Sequence, residues 1–256
     1  MRARNATVDD YELFLRFFAA LELPDAPPPF DWWRANQVHA SFLEEGEDAV
    51  AYGHAYMLGD LGYVMNLAVD PRARRRGYGE KMMLVLAERL RERGATRWYL
   101  FVKDDNLPAI ALYEKLGMRS VDRAVSLQVS RSALEELPEA EAIVEPFPSE
   151  DDERIERAFG LPRGRLARDR SNEGWLVRRA RRGDELVGMI VFEPRTATAY
   201  RVRASDAAVL RALTLPFEHD SLRLNLDAMP PIVEQLLALG AETKLSLLRM
   251  EGPLTA

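Results

Sequence analysis

Three features of the 256-residue sequence predict an α/β (α+β) protein made of two tandem domains. Strand-like and helix-like periodicities alternate along the chain, and an acidic, proline-containing connection interrupts them near the middle. A segment close to the C-terminus also repeats one from the first half. With 47% hydrophobic residues, the chain can bury one large core or two of ordinary domain size.

"DYELFLRFFAALEL" places Leu13, Phe17, Ala20 and Leu21 at helical spacing, and "PDAPPPF", from Pro24 to Phe30, breaks that helix. A second helical stretch carries Trp32 and Trp33. "DAVAYGHAYML" alternates Val50, Tyr52, His54 and Tyr56 with smaller residues, and "GYVMNLAVD" follows across a "GDLG" turn, which predicts an antiparallel hairpin. In the next helix Met83, Leu86, Ala87 and Leu90 recur at helical spacing, and Gly94 supplies the stop. "TRWYLFV" reads as a strand. Asn106 can cap a helix carrying Ile110, Tyr113, Glu114 and Leu116, which ends at Gly117. "RSVDRAVSLQVS" reads as a closing strand pair, its arms joined near Asp122 and Arg123.

From Ser130 to Glu153 the composition turns acidic, alanine-rich and proline-containing, as suits a connection between domains 1–130 and 141–256. Setting Gly240 against Gly117 matches "SLRLNLDAMPPIVEQLLALG" to "WYLFVKDDNLPAIALYEKLG", with identities at Asp227, Pro231, Leu239 and Gly240. The order of elements around those identities agrees too. A tandem duplication accounts for both.

A formal charge of −6 and a pI near 5.3 argue against a protein whose main task is to neutralise nucleic-acid phosphates. The absence of cysteine excludes disulfides, thiolate metal ligands and a cysteine nucleophile, and fits a reducing cytoplasm. No signal-peptide h-region and no membrane-spanning run is visible, so a soluble cytoplasmic protein is expected.

Against that acidic background "VDPRARRRGYGEKMM", Val69 to Met83, concentrates four arginines and two glycines where a strand passes into a helix. A helix N-terminus presents unpaired backbone N–H groups and the positive end of the helix dipole, so it can bind phosphate oxygens. Gly77 and Gly79 permit positive φ or close backbone approach, and Arg74, Arg75 and Arg76 add charge. A pyrophosphate suits such a turn, yet neither a Walker A loop nor the dinucleotide G-x-G-x-x-G is present.

Arg74-Arg75-Arg76-Gly77-Tyr78-Gly79 resembles the R-x-x-G-x-G loop of the GNAT superfamily of acyl-CoA-dependent N-acyltransferases. "NLAVDP" before the loop, the helix after it, "WYLFV" and "DDNLPAIALYEKLGM" extend the resemblance over residues 1 to about 130. It implies a tandem GNAT-type fold, each domain a mixed, mostly antiparallel sheet flanked by helices. It also implies acetyl-CoA as acyl donor and no metal. The backbone of Gly77, Tyr78, Gly79 and Glu80, with Arg74 and its neighbours Arg75 and Arg76, would hold the pyrophosphate. Leu67, Ala68 and Val69 would pair with the pantetheine arm on a splayed strand, Asn106 would contact that arm, and Tyr113 would protonate the departing thiolate.

Amine attack on a thioester needs alignment of two substrates, a donor to the developing oxyanion, loss of an ammonium proton and an acid for sulfur. The proton acceptor has no owner in the sequence. His54 and Asn66 lie on strands that flank the cleft in this family and are open as acceptor-site groups or as ordinary strand residues; His39 and His219 show no partner pattern. Glu44 and Glu45 are open as a pair that attracts a cationic amine or as a solvated acidic turn, and Trp32, Trp33 and the phenylalanines around Phe17 as the lining of an acceptor pocket or as packing. In the second half Leu236 stands for Tyr113 and Met229 for Asn106, and no R-x-x-G-x-G loop precedes "SDAAVLRALTL". That half resembles a degenerate C-terminal GNAT-like domain. The expected function is N-acetyl transfer to a small-molecule or peptide amine, by a monomer or homodimer; the alternative is a non-catalytic acyl-CoA-binding or regulatory module.

Overall fold

The computed structural model describes residues 1–23 and 26–254. These residues divide into two compact units: Met1–Ser120 joined by the C-terminal residues from Met250 onward, and Val121–Arg249.

In the first unit β1 (Arg2–Asn5) is followed by α1 (Tyr11–Ala19), α2 (Phe30–Asn36) and β2 (Ala40–Glu45). The hairpin β3 (Asp48–Leu58) and β4 (Leu61–Val69) comes next, then α3 (Tyr78–Glu92), β5 (Arg97–Lys103) and α4 (Leu107–Lys115). The strands lie in the order β1-β2-β3-β4-β5, antiparallel throughout except for the parallel β4/β5 pair.

The buried face of α1 is Phe14, Phe17 and Phe18. Phe17 is buried as expected, while Phe14 and Phe18 are buried in place of the expected Leu13, Ala20 and Leu21, of which Leu13 and Leu21 stay partly buried at the edge of the cluster. Aromatic rings set the rotation, because they bury the most area. Phe14 stacks on Trp33 at 4.7 Å and Phe17 on Tyr52 at 6.1 Å. The expected break after α1 falls partly outside the described residues, at Pro24 and Asp25.

On the opposite side α3 buries Met82, Met83, Leu86, Ala87 and Leu90, as its periodicity predicts. It sits close to the sheet because two strand positions carry no side chain. A Cβ on Gly53 would lie 2.8 Å from Leu86 Cδ1, and one on Gly62 2.7 Å from Leu90 Cδ1. Asn106 caps α4, its side chain accepting from the Ala109 N–H at 3.3 Å.

The second unit runs β6 (Arg119–Ser130, its first residues in the first unit), α5 (Arg131–Glu135), β7 (Ile143–Pro146), α6 (Asp152–Ala158) and α7 (Arg165–Arg170). It continues with β8 (Leu176–Arg182), β9 (Glu185–Glu193), β10 (Thr198–Ala204), α8 (Ala207–Thr214), β11 (Ser221–Asp227), α9 (Pro230–Ala238) and β12 (Glu242–Pro253). Here β7-β8-β9-β10-β11 repeats the order and directions of β1 to β5, including one parallel pair, β10/β11. The offset that aligns Gly240 with Gly117 carries α4 onto α9 and β6 onto β12, end for end.

Two local expectations fail. "RSVDRAVSLQVS" is one strand and not a pair, paired with β11 from Ala124↔Asp227 to Ser130↔Ser221. Asp122-Arg123 supplies no glycine for the positive φ that a two-residue hairpin turn needs. The stretch 130–153 is also more than a connection, since it contains α5, capped by Ser130 Oγ, and the edge strand β7.

Candidate active site

The first feature of the site is a separation of strands. Between His54↔Asn66 and Ala55↔Val64 the β3/β4 register shifts, leaving Met65 as an extra residue. A β-bulge bends its strand and increases the local twist. The β4/β5 ladder runs from Leu61↔Arg97 to Val64↔Leu100 and ends there, although β4 continues to Val69 and β5 to Lys103. Leu67, Ala68 and Val69 therefore lie beyond the point where β4 leaves β5. Ala68 packs into the α1 core, while Leu67 and Val69 stay half-buried.

The arginine-rich turn follows directly. Asp70 is its anchor: Oδ1 accepts from the Arg72 backbone N–H at 2.9 Å and from Arg72 Nε at 3.1 Å, and Oδ2 accepts from Nη2 at 3.0 Å. Those bonds hold the Asp70 carboxyl at about 2, well below its ordinary range. Arg75 takes φ +65° and Gly77, the N-cap of α3, takes φ +80°. No side chain caps α3. Its first intrahelical bond runs from Lys81 N to Gly77 O, so the earlier amides, Gly77 to Glu80, point out of the helix start unclaimed by the helix.

The side chains around this start are distributed unevenly. Arg76 reaches Glu45 Oε2 at 3.2 Å, and Tyr78 hydrogen-bonds the same carboxylate, which lowers the Glu45 carboxyl and raises the Tyr78 hydroxyl. Arg74 donates to Ala20 O at 3.3 Å. Glu80 is held by Lys115 of α4 at 2.7 Å, and a Cβ on Gly79 would lie 3.3 Å from Leu112 Cδ2. Gly77 thus provides the positive φ, whereas Gly79 provides close packing. These contacts bring α4, and Tyr113 with it, against the start of α3. Tyr113 is buried, and burial pushes its phenol well up.

His54 and Asn66 face each other across β3 and β4. Tyr52 hydrogen-bonds the Asn66 side chain, and its hydroxyl lies 3.4 Å from His54 Nδ1. Glu44 and Glu45 are not a merely solvated turn: Glu44 pairs with Arg4 and Glu45 with Arg76. Among the described residues no group of acidic, histidine or cysteine side chains is arranged to hold a metal, and no helix is long and apolar enough to cross a membrane.

Residues 8–118 match the profile of the acetyltransferase (GNAT) family. This part of the chain is a GNAT-family domain. A mycothiol acetyltransferase from Saccharomonospora viridis is 42% identical over 65 residues, a match covering 25% of this chain and 21% of that protein. A ribosomal protein bS18-alanine N-acetyltransferase from Haemophilus ducreyi is 31% identical over 87 residues, a match covering 34% of this chain and 59% of that protein, so the chain spans less than two thirds of either relative. The whole chain is similar in fold to a GCN5-related N-acetyltransferase from Sphaerobacter thermophilus, with TM-score 0.67 and 18% identity, covering 100% of this chain and 96% of that one. A tandem GNAT protein from the clavulanic acid biosynthesis pathway gives TM-score 0.63 and 16% identity over 100% of this chain and 99% of its own.

The second unit builds the same elements differently from the GNAT-family domain. It keeps the bulge, with Tyr200 as the extra residue of β10, but pairing with β11 resumes beyond it at Val202↔Leu226, and Arg203 joins Asp227 at 2.7 Å. Only Ser205 and Asp206 separate β10 from α8, and Asp206 Oδ1 accepts from the Val209 N–H at 2.8 Å. The α8 N-terminus therefore carries its own carboxylate. A cavity of about 550 Å³ beside it is lined by Ala204, Asp206, Ala207, Met229, Ile232 and Gln235 among others, none of them basic.

Sequence reasoning missed Asp70, the pairing of Glu45 with Arg76 and the bulge at Met65. Asp70 had a signal, since Asp before Pro marks a turn start. The bulge had none, because it exists in register between strands.

Proposed function

We propose that the first unit binds acetyl-CoA and transfers its acetyl group to a primary amine by direct attack in a ternary complex. The observation that carries this reading is the uncapped α3 N-terminus lying just past the end of β4, where β4 has left β5. Unclaimed amides at a helix start favour an anion, and a strand edge without a partner can pair with an extended amide-containing chain. The amides of Gly77, Tyr78, Gly79 and Glu80, with Arg74, Arg75 and Arg76, would take the pyrophosphate. The main chain of Leu67, Ala68 and Val69 would pair with the pantetheine arm and polarise the thioester carbonyl, and Asn106 would lie along that arm.

Acetyl-CoA supplies the activated acyl group. The amine nitrogen forms the new C–N bond as the C–S bond breaks, and Tyr113 gives the departing sulfur its proton. A phenol raised by burial stays protonated across the working range, so the donor is always loaded. The second unit acts as a degenerate partner domain: Asp206 would repel a diphosphate, and the resumed β10/β11 ladder leaves no edge for pantetheine.

Calorimetric titration of the full chain with acetyl-CoA tests this. One site per chain is expected. Two sites would show that the second unit also binds, and no binding by cofactor-free protein would end the acetyltransferase reading.

A further inference from the structure

We propose that the acceptor site, on the reading given above, is a band of aromatic and imidazole rings beside the β4/β5 separation. It takes a primary amine borne on an uncharged aromatic or apolar body, and His39 removes the ammonium proton. The band is continuous within the first unit. Trp32 of α2 lies 5.6 Å from His54, His54 lies 6.0 Å from His39, and His39 lies 5.9 Å from Tyr56. Tyr56 then meets Tyr63 edge-on at 5.2 Å, and Tyr63 stacks on Tyr99 at 4.7 Å.

Its place in the fold ties it to the chemistry. The band crosses β4 at Tyr63, just before the bulge at Met65, and His54 is the cross-strand partner of Asn66, just after it. It thus borders the point where β4 leaves β5. Trp32, His39 and Tyr63 are half-buried and form the exposed part of the band, whereas His54, Tyr56 and Tyr99 are buried.

Charge selects the class of amine. Residues 52–58 of β3, 61–68 of β4 and 97–103 of β5 include no aspartate or glutamate. The acidic residues at the end of β2, Glu44 and Glu45, are already paired with Arg4 and Arg76. A polycation would need carboxylates here, while ring faces suffice to hold one ammonium by cation–π attraction.

The proton balance closes on these groups. One ammonium proton passes to the His39 imidazole and then to solvent, which frees the lone pair for attack. The attacking nitrogen's second proton replaces the one that Tyr113 gives to sulfur. Among the described residues, the titratable rings in contact with His39 include His54 and Tyr56 of β3, with Tyr63 of β4 next along the band.

The test measures thiol release from acetyl-CoA with 2-phenylethylamine or spermidine, alongside acetyl-CoA titration of every variant. Phenylethylamine should give the higher kcat/KM. His39→Gln should lower it about 100-fold around pH 7, and the deficit should shrink as pH rises toward the amine's own pKa, with acetyl-CoA affinity unchanged. Trp32→Leu should raise KM about threefold or more. Preference for spermidine, an unaltered pH profile in His39→Gln, or no acetylation of either amine by protein that binds acetyl-CoA would overturn the proposal. Failure to bind acetyl-CoA would instead bring down the reading beneath it.

Discussion

The arginines after Val69 are not equivalent. Arg72 serves Asp70, Arg76 leans on Glu45, Arg74 reaches a carbonyl of the α1 end, and Arg75 occupies a left-handed backbone position. A run that reads as one patch of charge is thus partly structural. Asp70 shows this most clearly: its folded-state pKa of about 2 lies below its ordinary 3.8. Its contribution is therefore fully present above pH about 4 and is lost as pH falls toward about 2. At neutral pH Asp70→Asn should cost about 1 kcal/mol, seen as a lower denaturant midpoint with the same slope. An unchanged midpoint would remove Asp70 as the anchor. Tyr113→Phe should lower kcat about 100-fold while acetyl-CoA affinity holds, because the ring still fills its place and only the proton donor is lost. Equal turnover in this variant would refute the acid assignment.

Helix placement depends on glycines that no periodicity argument singles out. Gly53 lets α3 approach β3, and Gly188 does the same for α8 on β9, where an added Cβ would lie 2.7 Å from Val209 Cγ1. Gly53→Val should cost about 1–3 kcal/mol through overpacking, measured as a lower unfolding midpoint. A variant as stable as the parent would mean that α3 moves freely on the sheet. The paired helices α4 and α9 begin with different chemistry at the same place. Asn106 caps the first with its side chain, whereas Met229 offers no such bond and is largely buried. Residue type at that one position therefore separates a polar helix start from an apolar one, and the sequence alignment alone already showed it.

The chain closes on itself in a way that linear domain boundaries do not anticipate. The last residues of β12 belong to the first unit: Met250 is fully buried, Leu254 N donates to Thr96 O at 2.9 Å, and Glu251 pairs with Arg97 at 2.7 Å. Gly252 is needed there, since a Cβ would lie 2.8 Å from Gly117 O. A chain ending at Arg249 should lose stability in its first unit, with faster limited proteolysis within Met1–Ser120 and weaker acetyl-CoA binding. Proteolysis at the parental rate would show that the first unit folds without its C-terminal residues.

Much of this was written in local pattern. The hairpin Asp48–Val69, the amphipathic α3, the Asn106 cap and the repeated α4 and α9 follow from side-chain period and cap chemistry, which act over a few residues. So does the glycine-bearing turn before α3, where Gly77 supplies the positive φ at the helix start. What local pattern did not contain was register and return. The bulge at Met65, the end of the β4/β5 ladder, the ring band from Trp32 to Tyr99 and the membership of Met250 in the first unit all depend on residues far apart in sequence. Such contacts form where packing and strand pairing are satisfied together, so they were decided when the chain folded and not by any one segment of it.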